Sequence, residues 1–270
     1  MAETDLLKLI KEDSTTKQAW EEANSSDYMQ QSRLGIDEDL VRLISQEKKE
    51  PTWMLEHRLK SLALFKEISL PAWGPDLSKL NLKTITYYAK AMGRPAQTWE
   101  EVPAEIKKTF DRLGIPQAEQ RVLAGVGAQY ESTVIYHSIK ERFKEQGVIF
   151  EDMDVALREH SDLVKQYFMK CVPPNLHKFA ALHGAVWSGG TFLFIPKGVN
   201  VDLPLQAYFR MNARGMGQFE HTLIIVESEA QGHYIEGCSA PRYGVDSLHA
   251  GCVEIFVKPN ARFQIGRAHV

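Results

Sequence analysis

The sequence predicts an α+β protein, with a mainly helical region at residues 1–172 and a β-rich core at residues 173–263. In the first region, apolar residues recur at the three- and four-residue spacing of helices. In the second, fourteen residues from Val199 to Asn212 alternate without a break between apolar and polar side chains, which indicates extended structure with one buried face. Short strand-like runs then recur about every ten residues, with turn residues between them.

Two helices are predicted on either side of Pro51. Asp37 favours a helix start, and Pro51 closes the same segment. Between them lies the apolar stripe of Leu40, Leu43 and Ile44. A second apolar stripe predicts the next helix and consists of Leu55, Leu59, Leu62 and Ala63.

Three shorter helices are predicted farther along the chain. Pro103 opens the first and Gly114 ends it, in the usual arrangement of proline first and glycine last. Ser161 can cap the second. A short helical piece through residues 179–182 then precedes the change to strands.

A longer helix is predicted from about residue 131 to residue 146. Ile135, Ile139 and Phe143 lie four residues apart, which is the spacing of one helix face. Gly147 follows in the position of a C-cap. This segment is therefore assigned to the helical region.

Four strands are predicted besides the alternating segment: Thr191–Ile195, His221–Val226, His233–Cys238 and Leu248–Val257. Pro204 cannot donate to a sheet ladder, so it should divide the alternating segment into two short strands. Strands of this length and spacing are typical of a sandwich, a barrel or a β-helix. Periodicity does not choose among these three architectures.

Composition excludes several classes of function. The net charge is -3, so the chain lacks the basic surface that nucleic acids and anionic membranes attract. The longest apolar runs are far too short to span a bilayer, and the acidic first residues are unlike a secretory signal. Three cysteines without a CxxC pair argue against a disulfide framework and favour a cytoplasmic location.

Cys238 is the main candidate for a chemical role. Tyr234, Glu236 and Cys238 alternate along one predicted strand and should share one face. Pro241 cannot continue a ladder, so the Cys238 thiol is expected near a strand end, within reach of a partner. A cysteine in such a place can accept sulfur and pass it on. The alternative is a small residue buried at a strand end.

Arg210 and Asn212 are two further candidate site residues. They share the polar face of the alternating segment with Gln206. One interpretation is a solvated outer face. The other is a cation and an amide directed at a thiolate or an anionic intermediate.

No metal site is predicted, although four residues have suitable side chains: His233, Cys238, His249 and Cys252. Their spacings differ from those of zinc fingers, and an odd offset places two ligands on opposite faces of a strand. Cys171, Cys238 and Cys252 lack a ferredoxin-like spacing, and Cys252 is interpreted as a core or interface residue. A catalytic pair of Cys238 with His233 or His249 stays open, without an evident oxyanion hole.

Three motifs of the β-rich region are distinctive: Trp187-Ser188-Gly189-Gly190, Phe209-Arg210-Met211-Asn212 and Glu236-Gly237-Cys238-Ser239-Ala240-Pro241. Further distinctive blocks lie at residues 49–59, 114–119, 125–131, 217–220, 246–250 and 257–263. Together they cover nearly the whole chain from about residue 30 to residue 263. In this combination the chain resembles SufB, the family of scaffold subunits in the Suf system for iron–sulfur cluster assembly.

This resemblance implies a helical N-terminal region that leads into a right-handed parallel β-helix. It also implies a scaffold rather than an enzyme, in complex with the ATPase SufC, the subunit SufD, and a cysteine desulfurase with its sulfur-transfer protein. A nascent Fe–S cluster would form in the intact complex, with FAD as a candidate reductant, and no cofactor is expected on this chain alone. Cys238 would be the sulfur acceptor, and Arg210 and Asn212 would support assembly.

The resemblance further implies that the chain is an N-terminal fragment. The family's cluster ligands would lie beyond residue 263. Residues 264–270 look like a read-through or cloning remnant and are left out of the fold prediction. Two alternatives stay open. A SufD-type structural subunit would share the β-helix without accepting sulfur. A carbohydrate-active β-helix enzyme would need acidic residues clustered on an exposed face, and none are evident around Asp202, Glu220 and Glu236.

Overall fold

The computed structural model describes residues 30–90, 101–102, 104, 106–108, 123–212, 215–240 and 247–269. The helices with complete bounds in these ranges are α1 (Glu38–Lys48), α2 (Thr52–Glu67), α3 (Glu141–Lys144), α4 (Met153–Glu159), α5 (Ser161–Tyr167) and α6 (Lys178–Val186). The strands are β1 (Gln30–Gln31), β2 (Ala89–Lys90), β3 (Gly125–Tyr130), β4 (Thr133–Ile139), β5 (Ile149–Asp152), β6 (Thr191–Ile195), β7 (Leu205–Arg210), β8 (Gly217–Gln218), β9 (His221–Val226), β10 (Gln231–Ser239), β11 (Leu248–His249), β12 (Cys252–Val257) and β13 (Arg262–His269). Among the helices of these ranges, none has the length and apolarity that crossing a membrane requires.

The two helices predicted around Pro51 are confirmed. Asp37 is the N-cap of α1, and its side chain accepts a hydrogen bond of 3.0 Å from the Leu40 amide. Lys49 closes α1 in the left-handed conformation (φ 53°), and α2 begins directly after Pro51. The apolar faces of α1, α2 and α6 form one buried cluster, which includes Val41, Ile44, Leu62, Leu182 and Val186.

Two sheets built mainly of parallel strands form the β-rich region. Their strand orders are β12-β9-β6-β5 and β13-β10-β7-β3-β4. The end strands β5 and β4 are antiparallel to their neighbours, and the other neighbours are parallel. The chain enters the two sheets in turn, first with β6 and β7, then with β9 and β10, and finally with β12 and β13.

Successive passes of the chain stack in a regular register. His221 pairs with Cys252, and Gly217 pairs with Leu248, so that the partners in each pair are 31 residues apart. The second pair belongs to a third, two-stranded ladder of β8 and β11. A residue in one pass therefore lies beside a counterpart from the next pass.

The apolar core of this region confirms the predicted alternation. Val201, Leu205, Ala207, Phe209 and Met211 are all buried. The first four pack with side chains from the other sheet, including Leu193, Ile195, Ile224 and Val226, whereas Met211 packs with Ala89 and Met216. β7 begins directly after Pro204, as predicted. The predicted strand ahead of Pro204 is wrong, because this described part of the chain forms only an isolated bridge between Asn200 and Gln231.

The other predicted strands are present, one of them in two parts. β6 and β9 have the predicted bounds, and β10 contains the predicted strand His233–Cys238. The predicted strand Leu248–Val257 is divided into β11 and β12. Alternation indicated β10 and β12, whereas β6 and β9, which are buried on both faces, were predicted from short apolar runs.

The helix predicted at residues 131–146 is wrong for most of its length. Residues 133–139 form β4, which pairs antiparallel with β3, and α3 covers residues 141–144 alone. The β-branched run Thr133-Val134-Ile135 favours a strand. Glu131 adopts φ 55° in the connection between the two strands. Gly147 has positive φ (82°), as expected of a residue that ends a helical turn.

The shorter predicted helices have mixed outcomes. Residues 179–182 lie within α6, as predicted. α5 begins at Ser161, but its cap position is His160, which makes no side-chain capping hydrogen bond. Residues 104 and 106–108 are helical, and most of the helix predicted from Pro103 to Gly114 lies outside the described residues. In the described part of residues 1–172, β3, β4 and β5 belong to the two sheets, so this part is less helical than predicted.

Residues 264–269, which the fold prediction left out, belong to the β-rich region. They complete β13, which pairs in parallel with β10 along its whole length. Sheet pairing uses the main-chain N–H and C=O groups, which every residue except proline has. An open strand edge can therefore pair with a segment of almost any sequence. The origin of the tail as a cloning remnant and the boundaries at residues 172 and 263 stay predictions.

Candidate functional site

Glu220, Cys238 and His249 form a compact polar group, which we call the Cys238 cluster. One carboxylate oxygen, the thiol sulfur and one imidazole nitrogen all lie within 4.8 Å of one another. The His249 Nε2 atom is 2.5 Å from Glu220 Oε1, and the Cys238 Sγ atom is 4.0 Å from the same oxygen. A thiol, an imidazole and a carboxylate at these distances can exchange protons or bind a metal ion together.

The sheet ladders bring these three residues together from distant parts of the chain. His249 lies in β11, directly opposite Gln218 in β8. Glu220 follows β8 by two residues, and its carbonyl accepts a hydrogen bond of 2.9 Å from the Cys252 amide. Cys238 lies near the end of β10. The ladder register therefore determines the cluster, rather than local sequence spacing.

The Cys238 thiol lies near a strand end, as predicted, but it is not freely accessible. The residue is 3% exposed and Glu220 is 1% exposed. The side chain of His249 is 22% exposed and is the outermost member of the cluster. The expectation that a partner reaches this thiol directly is therefore wrong, because the Cys238 side chain belongs to the buried apolar core of the β-rich region.

Glu236 continues the polar row on the same face of β10 as Cys238. It is fully buried, and its Oε2 atom accepts hydrogen bonds of 3.0 Å from the Thr222 and Tyr234 hydroxyls. Burial, followed by the charge of Glu236, raises the pKa of Tyr234 well above its usual value, so the phenol stays protonated and can donate. The predicted shared face of Tyr234, Glu236 and Cys238 is confirmed, and it points into the core.

Arg210 and Asn212 are fully buried, so the interpretation of a solvated outer face is wrong. Arg210 lies opposite Ser239 in the ladder, and its Nη1 atom donates to the Ser239 hydroxyl at 3.3 Å. Ser239 directly follows Cys238. The main-chain N–H of Asn212 donates to the carboxylate of Glu131 at 2.9 Å. Arg210 thus contacts the strand end that carries the thiol, whereas Asn212 contacts the connection between β3 and β4.

A second buried group contains His221 and Cys252 from the neighbouring sheet and His183 from helix α6. His183 contacts the Ala250 carbonyl through Nδ1 at 3.0 Å and His221 Nδ1 through Nε2 at 2.9 Å. Burial, followed by the charge of His221, holds the pKa of His183 well below its usual value. His183 is therefore neutral, and both of its ring nitrogens already have partners.

Glu254 joins this second group to a surface loop. Its carboxylate lies 3.2 Å from His221 Nε2 and accepts hydrogen bonds from the amides of Met169, Cys171 and Val172 at 2.6, 2.6 and 3.1 Å. Burial opposes ionisation, but the contact with His221 and these amides outweighs it and lowers the pKa of Glu254 overall. Cys171 itself is exposed.

The metal-binding combination considered from sequence does not assemble. His233 is exposed and contacts Gln264 at 3.2 Å. His233 and Cys238 lie on opposite faces of β10, as predicted. His249 and Cys252 belong to separate groups, in β11 and β12. Of the two partners left open for Cys238, the structure brings His249 close and leaves His233 apart; sequence reasoning missed Glu220 as the third member. The 31-residue register that stacks β11 on β8 is the signal that would have revealed it.

Two family models match most of this chain. The family model described as "SufBD protein N-terminal region" matches residues 40–207, and the one described as "SUF system FeS cluster assembly, SufBD core domain" matches residues 209–269. This chain belongs to the SufBD family. The predicted resemblance is thereby confirmed at the level of the family and of iron–sulfur cluster assembly.

Two relatives illustrate the similarity of this SufBD-family chain to curated proteins. It is 56% identical over 227 residues to the iron-sulfur cluster assembly protein SufB of Bacillus subtilis (strain 168), which covers 84% of this chain and 49% of that protein. It is 55% identical over 230 residues to an iron-sulfur cluster assembly SufBD family protein of Staphylococcus aureus (strain MRSA252), covering 85% and 50% respectively. The chain thus spans about half the length of these relatives.

Proposed function

We propose that this SufBD-family chain is part of a scaffold for iron–sulfur cluster assembly and that Cys238 accepts sulfur for it. The observation that carries the proposal is the Cys238 cluster, in which the thiol lies within 4.8 Å of the donor atoms of Glu220 and His249. A thiol becomes a nucleophile when a neighbouring group takes its proton. His249 and Glu220 are suitably close for this task.

The proposed step is a persulfide transfer. The Cys238 thiolate attacks the outer sulfur of a persulfide on a donor cysteine, and a new S–S bond forms at Cys238. The S–S bond of the donor breaks, and the donor cysteine leaves as a thiolate. One sulfur atom changes its carrier without net oxidation, so the step needs no further oxidant or reductant. Arg210, which contacts Ser239, would help to hold the end of β10 during the transfer.

The burial of Cys238 requires a local opening before the transfer. His249 is the most exposed member of the cluster, and it contacts Glu220, which is buried beside the thiol. We infer that displacement of His249 opens the route to the sulfur. The Cys238 backbone can stay in β10 during this movement, because only a side chain needs to rotate.

We also propose that the stacked passes are the beginning of a right-handed parallel β-helix. Support comes from the parallel pairing of β6 with β9 and of β9 with β12, with a 31-residue separation between the partners His221 and Cys252. Crossover connections between parallel strands of one sheet are right-handed in nearly all proteins. The polar row of β10 would then face the interior of this helix.

The remaining parts of the assembly function are proposed by analogy with the family. They comprise a complex with SufC and SufD, sulfur delivery by a cysteine desulfurase with its sulfur-transfer protein, a nascent Fe–S cluster as cargo, and FAD as a reductant of the complex. In this scheme the chain is a cytoplasmic scaffold, and ATP hydrolysis belongs to SufC.

Sulfur labelling tests the proposal. The chain is incubated with a desulfurase and cysteine, then with a thiol-blocking probe, and peptides are examined by mass spectrometry for one added sulfur at Cys238. Donor-dependent labelling of Cys238 is expected in the unsubstituted chain and in Cys252→Ser. This variant is the matched control, because it replaces the other buried cysteine of the same region. Cys238→Ser should lose it. Equal labelling of Cys238 with and without donor would reject sulfur acceptance and leave a structural, SufD-type role.

A further inference from the structure

Glu220, Cys238 and His249 offer three different donor atoms around one point, and we propose that together they bind a single divalent transition-metal ion of the Zn²⁺ or Fe²⁺ class. Each donor atom lies within 4.8 Å of the other two. The proposal concerns metal binding by this chain itself. It does not depend on whether Cys238 accepts sulfur.

The distances suit a tetrahedral ion after one small movement. Metal–ligand bonds of about 2.0–2.3 Å place the donor atoms of such an ion about 3.3–3.8 Å apart. Cys238 Sγ and Glu220 Oε1 are 4.0 Å apart, close to this range. His249 Nε2 is 2.5 Å from the same oxygen, so the ion would replace this hydrogen bond and move the ring outward by about 1 Å.

The partial exposure of His249 makes this movement feasible and supplies an entry path. Its side chain is 22% exposed, whereas that of Glu220 is 1% exposed. A metal site needs a route for the ion as well as ligands. An ion that arrives beside the imidazole meets His249 first and then the two buried ligands.

The donor set selects the class of ion. A thiolate, an imidazole and a carboxylate together suit Zn²⁺ and Fe²⁺, whereas Mg²⁺ and Ca²⁺ prefer oxygen ligands alone. Three protein ligands also leave a fourth position for water or another small ligand, as in catalytic zinc sites. The β8–β11 ladder and the β10 strand hold the three backbones in place before any ion binds.

The group of His183, His221 and Cys252 also meets the distance criterion but is explained without a metal ion. Both ring nitrogens of His183 already have partners, at 3.0 and 2.9 Å. An ion there would have to break two buried hydrogen bonds, and each broken bond leaves a desolvated partner. Cys252 therefore serves as a matched control for Cys238.

Cobalt binding tests the proposal on the full 270-residue chain. Co²⁺ bound to a thiolate gives a charge-transfer band in the near ultraviolet, and Zn²⁺ should displace it. Cys238→Ser should abolish this band, His249→Ala should weaken Zn²⁺ binding at least about tenfold, and Cys252→Ser should leave both unchanged. A band that survives in Cys238→Ser, or one that is lost in Cys252→Ser, overturns the proposal.

A second measurement avoids any effect of substitution on folding. In the unsubstituted chain, Zn²⁺ should slow alkylation of Cys238 at least about tenfold and leave the rate at the exposed Cys171 unchanged. Equal slowing at both cysteines, or none at Cys238, contradicts the site. Sulfur labelling is done without added metal, so a failure of metal binding and a failure of sulfur acceptance give separate results.

Discussion

Replacement of Arg58 by alanine is expected to lower the free energy of unfolding by about 3–5 kcal/mol. The Arg58 side chain is fully buried in α2 and pairs with both carboxylate oxygens of Glu50, at 2.8 Å from Nε and 2.5 Å from Nη2. The Glu50 side chain is also fully buried. Removal of the guanidinium would leave a carboxylate inside the protein without this counter-ion, which is strongly destabilising.

Three further contacts contribute to this loss. Arg58 donates to the carbonyls of Ala185 at 3.1 Å and Trp187 at 3.0 Å, and its guanidinium lies 4.9 Å from the centre of the Trp187 ring. These carbonyls belong to the last turn of α6, which has no helical partners for them. Burial of the two charges costs desolvation free energy, which offsets part of the stabilisation by these contacts. The expected loss of unfolding free energy is therefore that of one buried ion pair rather than the sum over all contacts.

Urea denaturation followed by far-ultraviolet circular dichroism measures this loss. Arg42→Ala is the matched control, because Arg42 pairs with Glu38 at 2.7 Å on the exposed face of α1 and should lose less than about 1 kcal/mol. The double variant Arg58→Met with Glu50→Met should recover much of the loss, since it leaves no buried charge. Equal stability of Arg58→Ala and Arg42→Ala, or a double variant that loses the sum of its single variants, would refute the reasoning.

Three further predictions concern backbone strain, pH and local order. Gly190→Ala should lower the free energy of unfolding by more than about 3 kcal/mol in urea denaturation, because φ is 110° and a Cβ would lie 2.1 Å from a main-chain oxygen. The control Gly198→Ala, at φ 73° in open space, should lower it by about 1 kcal/mol. Equal losses contradict the steric explanation. Burial, followed by a neighbouring carboxylate, raises the pKa of Asp152 from 3.8 to about 7, so the folded state binds this proton more tightly and stability should fall as pH rises between these values. Asp152→Asn should flatten that slope, and an unchanged slope counts against the assignment. Glu254→Gln should speed hydrogen exchange of the amides at 169, 171 and 172 at least about tenfold, while Glu227→Gln should not; identical rates would show that the carboxylate does not hold the loop.

Local features of the fold could be predicted because their signals lie within a few residues. The cap at Asp37 and the break at Pro51 located α1 and α2, and uninterrupted apolar runs gave the ends of β6 and β9. The failed helix at residues 131–146 has a physical explanation. A spacing of four residues, as between Ile135 and Ile139, places side chains on one face of a helix and equally on one face of a strand. The β-branched residues around Ile135 should have decided the choice.

The site could be predicted only along one strand. Alternation placed Glu236 and Cys238 on one face, and the buried pattern of β10 confirms this. Alternation states which residues share a face but not what covers that face, which is why the burial of Arg210 was missed. The contacts of Cys238 with Glu220 and His249 arise from pairing between strands, and a 31-residue register becomes visible only when the partner strands are known.

The buried carboxylates of the β core are difficult to explain by stability. Glu220, Glu236 and Glu254 are each at most 1% exposed. Burial of a carboxylate requires hydrogen bonds or counter-charges to offset the loss of water, and apolar side chains of similar size often stabilise a core as well or better. Glu236 accepts hydrogen bonds from Thr222 and Tyr234, and Glu254 accepts them from three loop amides. Each of these two carboxylates is thus surrounded by specific donors. Such an arrangement is easier to understand if the polar row beside Cys238 has a chemical role than if the core serves packing alone.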